Sequence, residues 1–306
     1  MNKKIRKITN IRVDYAMEDP SKPDETDWYE KKSYAISLEE YDIKGNLVKT
    51  VSYNRTGDIH EHYQYKYDDM NNMIEELNFI DEDEIAEHKY FDYDGAGRQI
   101  QERVLYMEGG ENIFRSLYDD SGNLIKRIQT DADGETEETS TYEYVDGKLV
   151  QAIVFDGDHV EISRNQYTYN EEGKQISYAH IASDERSNYR TEYSYNEKGL
   201  REKTLKYNFR DQLIEKAIFT FDDRNNITEI IEEDIRDYKK IHFTYDENNK
   251  AVKQEEYNRN DDILLSVERS YDDEGKVLEA VVYLSDPVEN IRNMYVSKYE
   301  YDYFDE

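Results

Sequence analysis

Apolar and polar side chains alternate along this chain with a period of two, and turn residues interrupt the alternation at near-regular intervals. The stretch IHEHYQYKYD shows the pattern: Ile59, Tyr63, Tyr65 and Tyr67 share one side of an extended strand, while His60, His62 and Lys66 take the other. A helical reading fails, because each segment is dense in Tyr, Val, Ile and Thr and holds two turn signals. The pattern predicts β-strands throughout.

The turn signals form a repeat. YDIKGN begins at Tyr41, YDDMNN at Tyr67, YDGAGR at Tyr93, YDDSGN at Tyr118, YVDGK at Tyr144 and YNEEGK at Tyr169. YNEKGL follows at Tyr195, FDDRNN at Phe221, YDENNK at Tyr245, YDDEGK at Tyr271 and YDYFDE at Tyr301. Successive copies lie 24 to 26 residues apart, with a last interval of 30. Four residues past the aromatic stands Gly or Asn: Gly45, Asn71, Gly97, Gly122, Gly173, Gly199, Asn225, Asn249 and Gly275, while the shorter Tyr144 unit has Gly147. These residues most readily take a positive φ. The Asp or Asn after the aromatic caps a turn through its side chain. An Asx, two permissive residues and a left-handed residue spell a type I turn closing into a bulge.

Beyond the turn, apolar residues recur six and ten positions past the aromatic, as in Leu47 and Val51, Leu124 and Ile128, and Val277 and Val281. An even spacing predicts one shared strand face. A second, looser turn follows, for example NRTGD at 54, DEDE at 81, DADGE at 131, DGDH at 156 and NRNDD at 258. Each unit is then one strand pair. The expected fold is all-β: an elongated, coiled antiparallel meander of about ten hairpin units and roughly twenty strands, open or partly closed as a shell, because sheets twist and long ones curl. Residues 1–40 supply N-terminal strands and a capping loop (EDPSKPDETD, 18–27), with Trp28 over the first repeat. Residues 41–300 are the array, and 301–306 end it, in one continuous domain.

Composition sharpens this picture. Only 37% of residues are hydrophobic and 36% are charged, lean for a thick core. Yet 30 Tyr and 9 Phe are too many for a disordered acidic chain, so the sheet should be thin and much exposed. With 71 acidic and 40 basic residues the formal net charge is -31, which repels phosphate backbones and anionic membranes and excludes nucleic acid as a partner. The absence of cysteine excludes disulfides and thiol chemistry. No apolar run approaches a membrane span, and MNKKIRKITNIRVDYAM does not read as a signal peptide. Cytoplasm is the expected compartment.

Candidate chemistry is sparse. His60 and His62 sit two apart, but no third ligand is spaced to join them in a metal site. Asp131 and Asp133 have the phase of a calcium loop, yet Glu135 and Glu137 do not complete the pattern, leaving an acidic hairpin loop. No nucleophile elbow, phosphate-cradling loop or metalloprotease helix is present. No enzyme activity, cofactor or metal is expected. The aromatic pairs remain: Tyr65 and Tyr67, Tyr142 and Tyr144, Tyr167 and Tyr169, Tyr193 and Tyr195, at fixed phase to the turns. Exposed, they could hold a ligand; their strict register with the turns favours packing between strands.

In YDIKGNL and YDDSGNLI, and over approximately residues 41–301, the chain resembles the Rhs or YD-repeat family. That resemblance implies β-strand repeats winding into a shell, often around a toxin, and interaction roles. The period here is longer, and SDPVEN, with Asp286 and Pro287, lacks the family's self-cleaving Asp-Pro-Gly segment. The functional expectation is a non-enzymatic interaction scaffold binding a protein or glycan on an extended aromatic-rich face. The alternative is an acidic cytoplasmic immunity protein that neutralises a basic toxin.

Overall fold

The computed structural model describes residues 3–17, 27–80, 83–287 and 291–305. These form 22 β-strands and one 3₁₀ turn at Glu185–Ser187, with no α-helix among the described residues. The first strands are β1 (Ile5–Met17), β2 (Trp28–Tyr41), β3 (Leu47–Tyr53), β4 (Ile59–Tyr67), β5 (Met73–Phe79) and β6 (Ile85–Tyr93). Next come β7 (Gln99–Tyr106), β8 (Glu111–Tyr118), β9 (Leu124–Thr130), β10 (Thr136–Val145), β11 (Lys148–Asp156) and β12 (Glu161–Tyr169). They continue with β13 (Gln175–Ala182), β14 (Tyr189–Tyr195), β15 (Arg201–Asn208), β16 (Leu213–Phe221) and β17 (Ile227–Asp234). The last are β18 (Tyr238–Tyr245), β19 (Ala251–Tyr257), β20 (Ile263–Tyr271), β21 (Val277–Asp286) and β22 (Ile291–Tyr303).

All 22 strands belong to one sheet. β1 pairs antiparallel with β2 on one side and with β22 on the other, so first and last strands meet and the strand order closes on itself. This corrects the expected open sheet or partial shell. The reason lies in edge chemistry: an open meander leaves two rows of unpaired N–H and C=O groups, and pairing β1 with β22 removes both. Of the expected capping loop at 18–27, only Asp27 falls within the described residues, and DEDE at 81 is described only from Asp83. Trp28 opens β2 and lines a cleft with Ile263, Tyr283 and Pro287 rather than covering the first repeat.

The chain divides into two compact units: residues 1–62 with 217–306, and residues 63–216. In the first, Val267, Ala280 and Val282 form a small core with Leu265 and Tyr295 packed against it. Beside it Asp14 is 4% exposed. Its carboxylate accepts from Arg12 Nε at 2.7 Å and from Arg55 Nη2 at 2.6 Å, tying β1 to the turn after β3. In the second unit, Leu77, Phe91, Val104 and Ala152 are the buried apolar side chains. No large side chain is fully buried among the described residues. The accessible surface is 19279 Å², against roughly 13,500 Å² for a compact monomer of this mass. The thin, much-exposed sheet read from composition is what the chain builds.

The motif turns have the expected geometry. Asp42 Oδ1 accepts from the backbone N–H of Lys44 at 2.8 Å and of Asn46 at 2.9 Å, and Gly45 N–H donates to the Asp42 carbonyl at 3.0 Å. φ at Gly45 is +96°, and Asn225 and Asn249 take the same role at +69° and +68°. The shorter unit closes differently: Val145 pairs with Lys148, and Asp146 and Gly147 both have positive φ, a two-residue type I′ hairpin.

Two expectations change. The second turns are no looser than the first: Asn54, Asp131, Asp156, Asn208 and Asn258 each accept from backbone N–H groups two and four residues on. His159, Asp211 and Asp261 there hold φ near +63° without glycine. The residues six and ten past the aromatic do not share a face. Leu47 pairs with Tyr41, but the register shifts between Glu40 and Tyr41, and Val51 pairs with Leu38 on the opposite face. Leu124 and Ile128, and Val277 and Val281, are separated in the same way. In these strands a bulge inserts one residue after the turn and reverses the parity.

Candidate functional site

Each aromatic pair ends a strand, and its two members do different work. The second tyrosine reaches back one repeat and donates its hydroxyl to the backbone carbonyl two residues past the preceding left-handed turn residue. In the second unit Tyr93 bonds Met73 O at 2.7 Å, Tyr118 bonds Gln99 O at 2.8 Å, and Tyr144 bonds Leu124 O at 3.1 Å. Tyr169 bonds Leu149 O at 2.8 Å and Tyr195 bonds Gln175 O at 2.7 Å. In the first unit Tyr245, Tyr271 and Tyr301 bond Ile227 O, Ala251 O and Val277 O, each at 2.8 Å. The accepting residue sits at the bulge, where the ladder is disrupted and a carbonyl needs a donor from elsewhere. Burial, with nearby acidic charge, raises the pKa of Tyr93 and Tyr245, so these phenols stay protonated and able to donate. Tyr144, Tyr169 and Tyr195 are therefore inter-repeat staples. Their hydroxyls are already engaged.

The first members are placed otherwise. Tyr167 pairs across β12 and β13 with Tyr178, their ring centroids 5.3 Å apart. Tyr178 pairs in turn with Thr191 of β14, and the ring of Tyr189 lies 5.7 Å from it. His180 stands 5.3 Å from Tyr189. The three tyrosines and the histidine make a half-buried aromatic row on one face of the second unit. Tyr193 occupies that face too, with the Arg201 guanidinium 4.3 Å above its ring, and the Lys206 ammonium lies 4.9 Å from the Tyr189 ring. Tyr142 pairs with the buried Ala152 next to it. Tyr65 lies elsewhere in the unit, stacked on Tyr63 at 6.4 Å. Tyr67 closes β4.

One amide organises the row. Asn165 Oδ1 accepts from the Tyr178 hydroxyl at 2.8 Å, and His180 Nδ1 lies 2.8 Å from the same oxygen. That oxygen can only accept, so His180 Nδ1 is the donor in this contact. The Asn165 amide nitrogen still offers donors. Burial, together with Tyr189 and Tyr167, pushes the Tyr178 pKa up strongly, and burial first raises Tyr167 as well. Both remain neutral through physiological pH. The result is a strip of aromatic rings beside an amide donor and an imidazole.

Sequence reading found Tyr167 and Tyr193 here but missed Asn165, Tyr178, His180 and Tyr189, which lie off the motif phase. The turn at 170–173 signals that β12 and β13 pair, but a plain count from it sets Ser177 opposite Tyr167; the bulge beside Tyr169 is what brings Tyr178 opposite Tyr167 and His180 opposite Asn165.

The metal candidates do not assemble. His60 is exposed whereas His62 is only 4% exposed, and no group of three metal-capable side chains occurs among the described residues. Asp131 Oδ1 is occupied by the backbone N–H groups of Asp133 at 3.0 Å and Glu135 at 2.8 Å, the work of a turn cap rather than a calcium ligand.

A family model described only as an uncharacterised protein matches residues 34–160. No curated protein matches the chain. Among solved structures, a complex of TcdB2, TccC3 and Cdc42 is similar over 94% of this chain and 19% of its own, at 15% identity and a TM-score of 0.46. The Photorhabdus luminescens Tc holotoxin pore is similar over 80% of this chain and 15% of its own, at 12% identity and a TM-score of 0.35. A porin-like protein from Bacteroides uniformis is similar over 97% of this chain and 98% of its own, at 10% identity and a TM-score of 0.31. The chain thus spans less than a fifth of the length of the two toxin chains.

Proposed function

We propose that this is a non-enzymatic, YD-repeat-like interaction protein whose second unit binds a neutral glycan on the face of Tyr167, Tyr178 and Tyr189. The observation that carries the reading is the aromatic row built on Asn165, with ring centroids at 5.3 and 5.7 Å and polar groups beside them. Sugar rings stack their C–H faces on aromatic rings, and their hydroxyls need donors and acceptors at the rim; Tyr supplies a large apolar area with a polar tip. The staples set the spacing of the row, so the face is preorganised and loses little side-chain entropy on binding. The test is an oligosaccharide array probed with wild type, Tyr178→Ala and Asn165→Ala. Glycan capture by wild type, reduced at least about tenfold in both variants, is expected. Equal capture by all three, or capture of no glycan by wild type, refutes the reading.

A second reading rests on the charge of -31: a cytoplasmic inhibitor that holds a basic protein. Its signature is binding to a cationic protein that weakens steeply as salt rises and is indifferent to Tyr178→Ala.

A further inference from the structure

The first unit carries a feature that runs against the charge of the chain. A cleft of about 410 Å³ lies where the start of β1 meets the turns after β2 and β20, lined by Lys3, Lys4, Lys44 and Lys276 around Ile5, Ile8 and Tyr41. Glu274 is its single acidic lining residue, in a protein where acids outnumber bases 71 to 40. Two of the ammonium groups are held in place. Lys4 Nζ donates to the Ile43 carbonyl at 2.7 Å, and Lys276 Nζ donates to the Tyr303 hydroxyl at 3.0 Å while also pairing with Glu274. Glu274 belongs to an exposed turn with 46% of its side chain in solvent, while Lys276 is 20% exposed, so an incoming anion can replace the carboxylate on the ammonium as Glu274 turns out to solvent. The volume falls within the range of small-molecule sites.

We infer that this cleft is a binding site for a small amphiphilic anion: a carboxylate or phosphate head received by Lys4, Lys44 and Lys276, on a short apolar stem lying against Ile5, Ile8 and Tyr41. Four lysines line one concavity, against a single acidic residue, and concentrate positive potential there in a protein whose net charge otherwise repels anions, which makes the cleft selective as well as attractive. The apolar floor distinguishes it from a simple counter-ion site, because burying the stem adds to the affinity of the head. Nothing in the inference depends on the glycan face of the other unit.

The experiment is calorimetric titration of the full chain with octanoate, with octyl phosphate below its aggregation concentration, and with inorganic phosphate. Saturable one-to-one binding of at least one octyl compound, weakened by added salt and tighter than inorganic phosphate, is expected. The octanoate and octyl phosphate arms identify the preferred head. Lys276→Gln and Lys4→Gln, made separately, should each weaken the octyl ligand about tenfold, with melting temperatures near wild type showing that the fold persists. Lys203→Glu, on β15 in the other unit, should change nothing. Absence of saturable binding to wild type, or equal weakening by Lys203→Glu, overturns the inference. Inorganic phosphate binding as tightly as both octyl compounds also overturns it, by removing the stem.

Discussion

Replacing Tyr195 with Phe removes one oxygen and keeps the ring. That oxygen donates to the Gln175 carbonyl at 2.7 Å across one repeat, and both groups are part-buried. The ring itself stays against the Lys174 ammonium, 5.2 Å from its centroid. The loss is therefore one neutral hydrogen bond, worth about 1 kcal/mol net. Because the orphaned carbonyl is only part-buried, water can reach it, and the full penalty of a sealed unsatisfied group does not apply. Phe221 stands at the same phase of the repeat without a hydroxyl, so the array tolerates such a loss locally. Tyr193→Phe is the control and should stay within about 0.5 kcal/mol of wild type. Tyr144→Phe with Tyr195→Phe, two repeats apart and without a shared partner, should add to about 2 kcal/mol. Urea unfolding followed by tyrosine fluorescence, with hydrogen exchange reporting on β13 and β14, measures each. Tyr195→Phe indistinguishable from wild type, or Tyr193→Phe costing as much, would refute the staple.

Other expectations follow from the turns and the Asp14 network. Gly199→Val should cost about 2 kcal/mol or more, because φ is +77° and a Cβ would meet the Lys174 ammonium; Gly199→Asn should cost less, as Asn225 and Asn249 hold the same conformation. Equal melting temperatures for both variants would contradict this. Asp14→Ala should destabilise the first unit by about 2 kcal/mol, below the range for sealed ion pairs because Arg55 is largely exposed. Burial alone would raise the Asp14 pKa, but Arg12 and Arg55 outweigh it and hold it below the usual carboxylate range. Its contribution is thus complete above the ordinary Asp value and lost as pH falls through the lowered one. An acid titration of stability should show that loss in wild type and not in Asp14→Ala. Calcium at millimolar concentration should leave the melting temperature unchanged, because Asp131 already caps its turn; a rise of several degrees would reinstate the loop as a site.

The repeat, its hairpin turns and the strand count were legible because each rests on local chemistry. Asp42 caps its own turn, and Gly45 takes the positive φ that its position requires. What was not legible depends on residues far apart in sequence. Closure is the pairing of Ile8 with Tyr301 and of Val13 with Val296, between strands at opposite ends of the chain. The bulge that puts Leu47 and Val51 on opposite faces adds one unpaired residue, and a count of even spacings cannot register it. For the candidate site, the fixed phase of Tyr167 and Tyr193 exposed them to sequence reading. Asn165 and His180 become neighbours only once β12 and β13 fold back on each other.

Tyr144, Tyr169 and Tyr195 hold neighbouring repeats together, and on the proposed reading the row of Tyr167, Tyr178 and Tyr189 receives the ligand. Ring-carbon NMR of tyrosine-labelled protein, assigned by single Phe substitutions and titrated with the best oligosaccharide from the array, tests both halves at once. The account predicts that the resonances of Tyr167, Tyr178 and Tyr189 move with a common affinity while those of Tyr144, Tyr169 and Tyr195 stay in place. Movement centred on the staple tyrosines, or a row that stays still while the sugar binds, would contradict it.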